Sequence, residues 1–153
     1  SDWSSDVCSS DLDRKARASI QGLSLDTTPA HLVRAAVEAM AFQTVDILHK
    51  LEALHITALK VDGGAASSDF LCQFLADVAG VQVLRPYELE RTALGTAFVA
   101  GLAVGIWHSQ EELGQKWKAE RIFEPALTSS AKEKLQSEWN EAVQRTLTEG
   151  KRK

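Results

Sequence analysis

The residues best suited to chemistry are Val61-Asp62-Gly63-Gly64-Ala65-Ala66-Ser67-Ser68. An apolar, β-prone run (Ala58 to Asp62) ends in a glycine pair, and a serine-capped helix pattern follows. Two glycines remove the side chains that would keep a ligand from the backbone. A helix start adds unpaired N–H groups and a positive dipole end. In open α/β sheets ligands bind at the carboxyl ends of strands, where this turn falls. The pattern favours a nucleotide or phosphate, although a double glycine alone more often marks an ordinary strand-to-helix turn. Asp62 beside it is placed either to contact a ribose or metal-bound water or to cap the turn.

Other reactive side chains read as structural. His31, His49, His55 and His108 show no metal-ligand spacing, so no metal site is expected. Cys72 lies between apolar positions of a helix and is expected to be buried and inert. Trp107, Trp117 and Trp139 read as core anchors, not a stacking platform. Glu111 and Glu112 read as charges at a helix N-terminus, not as an acid–base pair.

The elements that position the turn follow from periodicity. Ala18 to Leu23 reads as a short strand or extended lead-in, ending near Gly22. Thr28 and Pro29 open a long amphipathic helix to about Leu54, with Val33, Val37, Met40, Thr44, Ile47, Leu48 and Leu51 on its apolar stripe. Ala58 to Asp62 is a strand. Ser67 or Ser68 caps the next helix, Asp69 sits in its first turn, and Gly80 ends it. Val81 to Leu84 is a second strand, closed by Arg85-Pro86. Thr92 starts an alanine- and glycine-rich helix, Ala93 to Val104, which suggests close packing in a crowded interior. Ser109 caps a short helix to Lys116. Glu120 to Pro125 is extended, and Ser129 or Ser130 caps a last helix from Ala131 to about Thr148 with Leu135, Trp139, Val143 and Leu147 on one stripe. The alternation predicts an α/β layer with parallel strands. Two or three strands are few for such a sheet, so the chain reads as part of a domain.

Length and composition bound the rest. The 153 residues suit one domain, and 44% apolar with 25% charged residues is ordinary for a globular protein. A net charge of −4 with no basic face disfavours nucleic acid, and no apolar run is long enough to span a membrane. Two cysteines, Cys8 and Cys72, form no disulfide framework and suit a cytoplasmic setting. Ser1 to Leu12 stands apart: it is rich in serine and aspartate, lacks a signal-peptide pattern, and resembles a translated reading frame of a sequencing adapter. It is expected to be a disordered scar, 1–12, with the native sequence, 13–153, beginning near Asp13.

Ala18, Ile20, Gly22 and Leu23, then His31-Leu32 and Ala35-Ala36-Val37-Glu38, resemble the second signature of FGGY carbohydrate kinases. Three further stretches are similar to the glycerol kinase branch of that family. They are Arg34 to Thr44; Val61 to Ala65 with Phe70 to Phe74; and Arg85-Pro86, Thr92 to Ala97 and Gly101 to Trp107. Trp117 and Arg121 to Pro125 also fit, so the resemblance covers about Asp13 to Leu147.

The resemblance implies an incomplete ribonuclease-H-like (actin-like ATPase) domain, the C-terminal half of a two-domain kinase with ATP in the interdomain cleft. It implies phosphoryl transfer from Mg-ATP to a glycerol hydroxyl, with an aspartate base and domain closure. Gly63, Gly64 and Ala65 would approach the nucleotide. Ser68 would lie on the adenine side, where the family usually has asparagine; serine lacks the amide's paired donor and acceptor. The base, the polyol contacts and the phosphate loops would lie upstream of Ala16, so no residue here is assigned as catalytic. The expected cofactors are ATP and, through it, Mg2+; the expected partners are a polyol or sugar substrate and, for the full-length protein, further copies of itself. The alternatives are another FGGY kinase acting on xylulose or gluconate, or a non-catalytic kinase-like module.

Overall fold

The computed structural model describes residues 13, 16–89, 91–115 and 117–147. The expectations for Ser1 to Leu12, Cys8 and Lys116 lie outside the described residues.

The first long helix, Pro29–Lys50 (α1), starts where the Thr28-Pro29 signal placed it. The Thr28 N–H donates to Nδ1 of His31 at 3.2 Å, which satisfies an amide at the helix entrance and explains the polar residue in this first turn. α1 stops at Lys50, short of the predicted Leu54, and a 3-10 turn, Glu52–Leu54, takes up the remaining residues. Ala58–Lys60 (β1) leads into a 3-10 turn, Gly64–Ser67, and then into Asp69–Ala79 (α2). Ser68, not Ser67, is the cap: its Oγ accepts from the Leu71 N–H at 3.2 Å. Gly80 closes α2 in the left-handed conformation at φ 73°, as expected of a glycine there.

Gln82–Pro86 (β2) follows, then Arg91–Ala103 (α3), Gln110–Gln115 (α4), Ala119–Phe123 (β3) and Ser129–Thr146 (α5), whose cap is Thr128 and not Ser129 or Ser130: its Oγ1 accepts from the Ala131 N–H at 3.3 Å. Ser109 caps α4 by accepting from the Glu112 N–H at 3.2 Å, and Glu112 accepts in return from the His108 N–H at 3.0 Å. The sheet order is β1-β2-β3. β1 and β2 are parallel, as predicted, but β3 pairs antiparallel to β2, so the sheet is mixed. Helix–strand alternation could not show this. β3 enters after two helices, and its direction is set by how that connection returns. Of the two readings of Ala18 to Leu23, a short strand or an extended lead-in, the strand does not form. The segment is an exposed lead-in beside α5, where the Gln21 amide donates to the Ala142 carbonyl at 3.0 Å and Ser19 and Thr146 share a hydroxyl bond at 3.0 Å.

The core joins α1, α2, the sheet and α5. Ala41, Phe42 and Val45 of α1 meet Cys72, Phe74, Leu75, Ala76 and Val78 of α2, above Val83 and Phe123 of the sheet. Phe42 is its aromatic centre: Phe74 meets it edge-on at 5.4 Å and Trp139 stacks on it at 5.2 Å. Trp139 also donates from Nε1 to Asp46 at 2.9 Å, so this anchor is satisfied at both its apolar and its polar end.

Two packing expectations need correction. The predicted stripe of α1 is not its buried face: Val33, Met40, Ile47 and Leu51 are exposed, while Ala41, Phe42 and Val45 are buried. The helix is apolar on two sides, and α2 covers only one. The crowded surroundings expected for α3 are also absent among the described residues, with Val99 69% exposed. Its half-buried stripe is Leu94, Phe98 and Leu102. At Gly101 an added Cβ would meet the Trp107 ring, which also packs edge-on against Phe98.

Replacing Phe42 by alanine is expected to destabilise this chain by about 3 kcal/mol, because the site is enclosed by two other rings and cannot collapse. Urea unfolding followed by tryptophan fluorescence measures it, and a loss below about 1 kcal/mol would contradict this packing.

Candidate nucleotide-binding turn

β1 delivers the chain to the glycine pair. The Val61 N–H donates to the Leu84 carbonyl and the Gly63 N–H to the Leu89 carbonyl, both at 3.0 Å, so the turn is tied to β2 and to the loop after it. Gly63 has φ 80° and ψ 172°, a region open essentially to glycine alone. Gly64 needs no such freedom. What the pair shares is space: a Cβ at either position meets no atom within 4 Å. The outer face of Gly63 and Gly64 is therefore backbone open to an approaching ligand. Asp62 is exposed beside it, at the end of the strand.

The structure brings the four expected site residues into one short segment but changes the setting. The glycines do not open directly onto α2. The 3-10 turn intervenes, and the N-terminus of α2 is capped by Ser68 and faced by its own Asp69. The predicted dipole site for phosphate is thus taken by side chains of the chain itself. Ser68 is half-buried, and its hydroxyl, accepting from Leu71, keeps its proton for one further bond. Ala65 is exposed.

The inner side of the turn is held by a residue that sequence reasoning treated as punctuation. Arg85 is the one charged residue buried among those described, at 7% exposure. Its Nη1 donates to the Ala66 carbonyl at 3.2 Å, the Ser67 carbonyl at 3.4 Å and Asp69 Oδ1 at 2.7 Å; its Nε donates to Glu120 at 2.8 Å. Arg121 bonds the other oxygen of Asp69. Both guanidinium groups lie over the Phe123 ring, at 5.4 and 4.8 Å. A signal existed in the sequence: Arg85 is two residues from Val83, so strand alternation places it on the same, buried face.

Charge follows this geometry. The Arg85 hydrogen bond, opposed by partial desolvation and aided by Arg121, holds the Asp69 carboxyl below its usual range. Asp69 in turn holds the Arg85 guanidinium above its already high value. Cys72 is buried, as expected; its Sγ donates to the Ala66 carbonyl at 3.3 Å, and desolvation pushes its thiol up, away from the reactive thiolate. Glu111 is held down by its own backbone N–H and by Ser109, which fits a helix-end charge. Trp139 packs against the core as expected, but Trp107 lies edge-on to Phe98 of α3, outside the core cluster, and Trp117 is half-buried beneath Lys60 Nζ at 4.1 Å, a cation–π contact. His49, His55 and His108 are exposed, and no group of potential metal ligands occurs among the described residues. No helix is long and apolar enough to cross a membrane.

Two outcomes are expected. Gly63→Ala should lower stability by about 1–3 kcal/mol through backbone strain, and Gly64→Ala by less than about 0.5 kcal/mol. Comparison of their urea midpoints distinguishes the two glycines. Asp69→Asn should lower stability in a pH-dependent way. The folded carboxyl is depressed, so its contribution is present above the ordinary carboxylate pKa near 4 and is lost as the pH falls through the lower folded value. The gap between parent and variant should be widest at neutral pH and close in strong acid; a gap that widened on acidification would contradict the pairing.

Known proteins resemble this chain in sequence and fold. Residues 2–104 match the FGGY family of carbohydrate kinases, C-terminal domain, a span that includes all but the first residue of the serine-rich N-terminal stretch. Glycerol kinase 2 of Sulfolobus acidocaldarius is 48% identical over 138 residues, 88% of this chain and 28% of that protein. The glycerol kinase of Carboxydothermus hydrogenoformans is 49% identical over 136 residues, 87% of this chain and 27% of that protein. The crystal structure of Plasmodium falciparum glycerol kinase with ADP superposes with a TM-score of 0.74 at 34% identity, covering 88% of this chain and 28% of that one. The chain thus spans little more than a quarter of the length of the relatives it matches. The mixed sheet, the glycine turn and the extended match together show that the chain belongs to the FGGY family of carbohydrate kinases, as a portion of its actin-like C-terminal domain.

Proposed function

We propose that the full-length protein containing this chain transfers a phosphoryl group from ATP to glycerol, as an ATP:glycerol 3-phosphotransferase. Gly63, Gly64, Ala65 and Ser68 form part of its adenosine subsite. The observation that carries this reading is the glycine turn at the end of β1, where backbone is tied on its inner side and open on its outer side. Support for the substrate comes from glycerol kinases 46–49% identical along nearly the whole chain, and support for the nucleotide from a relative solved with ADP.

The residues present fit that role. Gly63 and Gly64 leave room for a ligand against the main chain, and Ser68 offers one hydroxyl proton at the end of the turn. When bound, ATP supplies the transferable phosphoryl group, with Mg2+ held through its phosphates. This chain positions the nucleotide; the base and the polyol contacts belong to the remainder of the protein. We read the protein as cytoplasmic, where ATP is available, and the full-length protein as a homo-oligomer.

Assay of the full-length protein on glycerol, xylulose and gluconate tests the reading. Glycerol should give the highest kcat/KM, and this chain by itself should give no turnover. A preference for xylulose or gluconate would move the protein to another branch of the family. In the full-length protein, Gly64→Val fills the open face without backbone strain. It should raise the KM for ATP roughly ten-fold while leaving the KM for glycerol unchanged. An unchanged KM for ATP would remove the turn from the nucleotide site.

A further inference from the structure

Beyond the turn itself, we infer that Arg85 is a positioning residue for the nucleotide: it fixes the Gly63–Ser68 segment from behind, in the shape that the open face presents. The inference rests on the proposed adenosine subsite and adds the device that holds it. Arg85 touches no open surface of the turn. On this segment it bonds the carbonyls of Ala66 and Ser67, within the 3-10 turn, and Asp69, the first residue of α2.

The geometry is that of a bolt. Ala66 is the buried residue of the 3-10 turn, at 4% exposure, and its carbonyl accepts from both Arg85 and Cys72. Three and two residues earlier, a Cβ added at Gly63 or Gly64 would meet nothing within 4 Å. A segment with one free face and a glycine pair has many backbone states available. Holding it in one of them reduces the ordering that a ligand would otherwise impose on binding. Arg85 can do this because its planar fork reaches several acceptors at once, and it is itself held in register by Glu120 on β3 and by the Phe123 ring. Asp69 extends the brace to Arg121, so α2, β2 and β3 all converge behind one turn. Lysine keeps the charge but cannot reproduce the fork.

Kinetics of the full-length protein test this with Arg85→Lys and Asp69→Asn, beside Gly64→Val as the reference for the site. A positioning role predicts that Arg85→Lys raises the KM for ATP roughly ten-fold, with Asp69→Asn in the same direction and smaller. The KM for glycerol should stay within about two-fold of the parent. A merely structural role predicts a fall in active protein or in thermal midpoint without this split. If Gly64→Val raises the KM for ATP and neither brace variant does, the inference fails while the site stands. If the KM values for ATP and glycerol rise together, the inference also fails. If Gly64→Val has no effect, the adenosine subsite fails and takes the inference with it. Should Arg85→Lys not fold, Asp69→Asn, whose side chain is half exposed, carries the test alone.

Discussion

A buried guanidinium must find partners for its charge and its donors, and Arg85 finds them in three different elements. Removing such a group from water is costly, and the cost is offset only where geometry supplies charged acceptors and satisfied donors. Here Asp69 and Glu120 supply the charge, while the carbonyls of Ala66 and Ser67 supply the rest. The 3-10 turn, the start of α2, and the pairing of β2 with β3 are therefore mutually dependent. The β2–β3 register shift beside Arg85 and Pro86 lies at this same point. Described buried side-chain polar atoms all have partners, which is what lets a charge sit so close to Val83 and Cys72.

Around that hub the packing is uneven. α2 is enclosed, with Cys72, Phe74, Leu75, Ala76 and Val78 all buried, and the Phe42–Phe74–Trp139 cluster links it to α1 and α5. α1 and α3, by contrast, carry apolar residues on faces that nothing described covers. Val33 of α1 and Val99 of α3 are exposed well beyond half, as are Leu25 just before α1 and Val104 just after α3. Exposed apolar surface of this extent is unusual for a self-contained domain. The relatives, in which the matched region is little more than a quarter of the chain, show how much further polypeptide such faces can meet.

The glycine turn shows how one local sequence serves two opposed requirements. Its inner side must be rigid and its outer side empty. Glycine alone would provide only the emptiness, and at Gly63 it also provides a backbone state that other residues reach with strain. Rigidity comes from elsewhere: the Leu89 carbonyl on the Gly63 amide, and Arg85 and Cys72 on Ala66. Ser68 sits at the junction, ending the turn and starting the helix with one hydroxyl.

What the sequence determined by itself was local. Thr28-Pro29, Ser68, Ser109 and Gly80 marked helix ends, because capping is decided by a residue and its next few neighbours. Strand and helix periodicity located β1, α2, β2 and α5 to within a few residues, and the run from Val61 to Ser68 together with the FGGY signature pointed to the family and its candidate site. The tertiary structure decided whatever depended on distant partners. The direction of β3 depends on how a connection through two helices returns. Which apolar face of α1 is buried depends on where α2 lies, since the pattern was apolar on both sides. The role of Arg85 was hidden for the same reason: its acceptors lie 16 to 35 residues away, and no local rule joins an arginine before a proline to the back of a glycine turn.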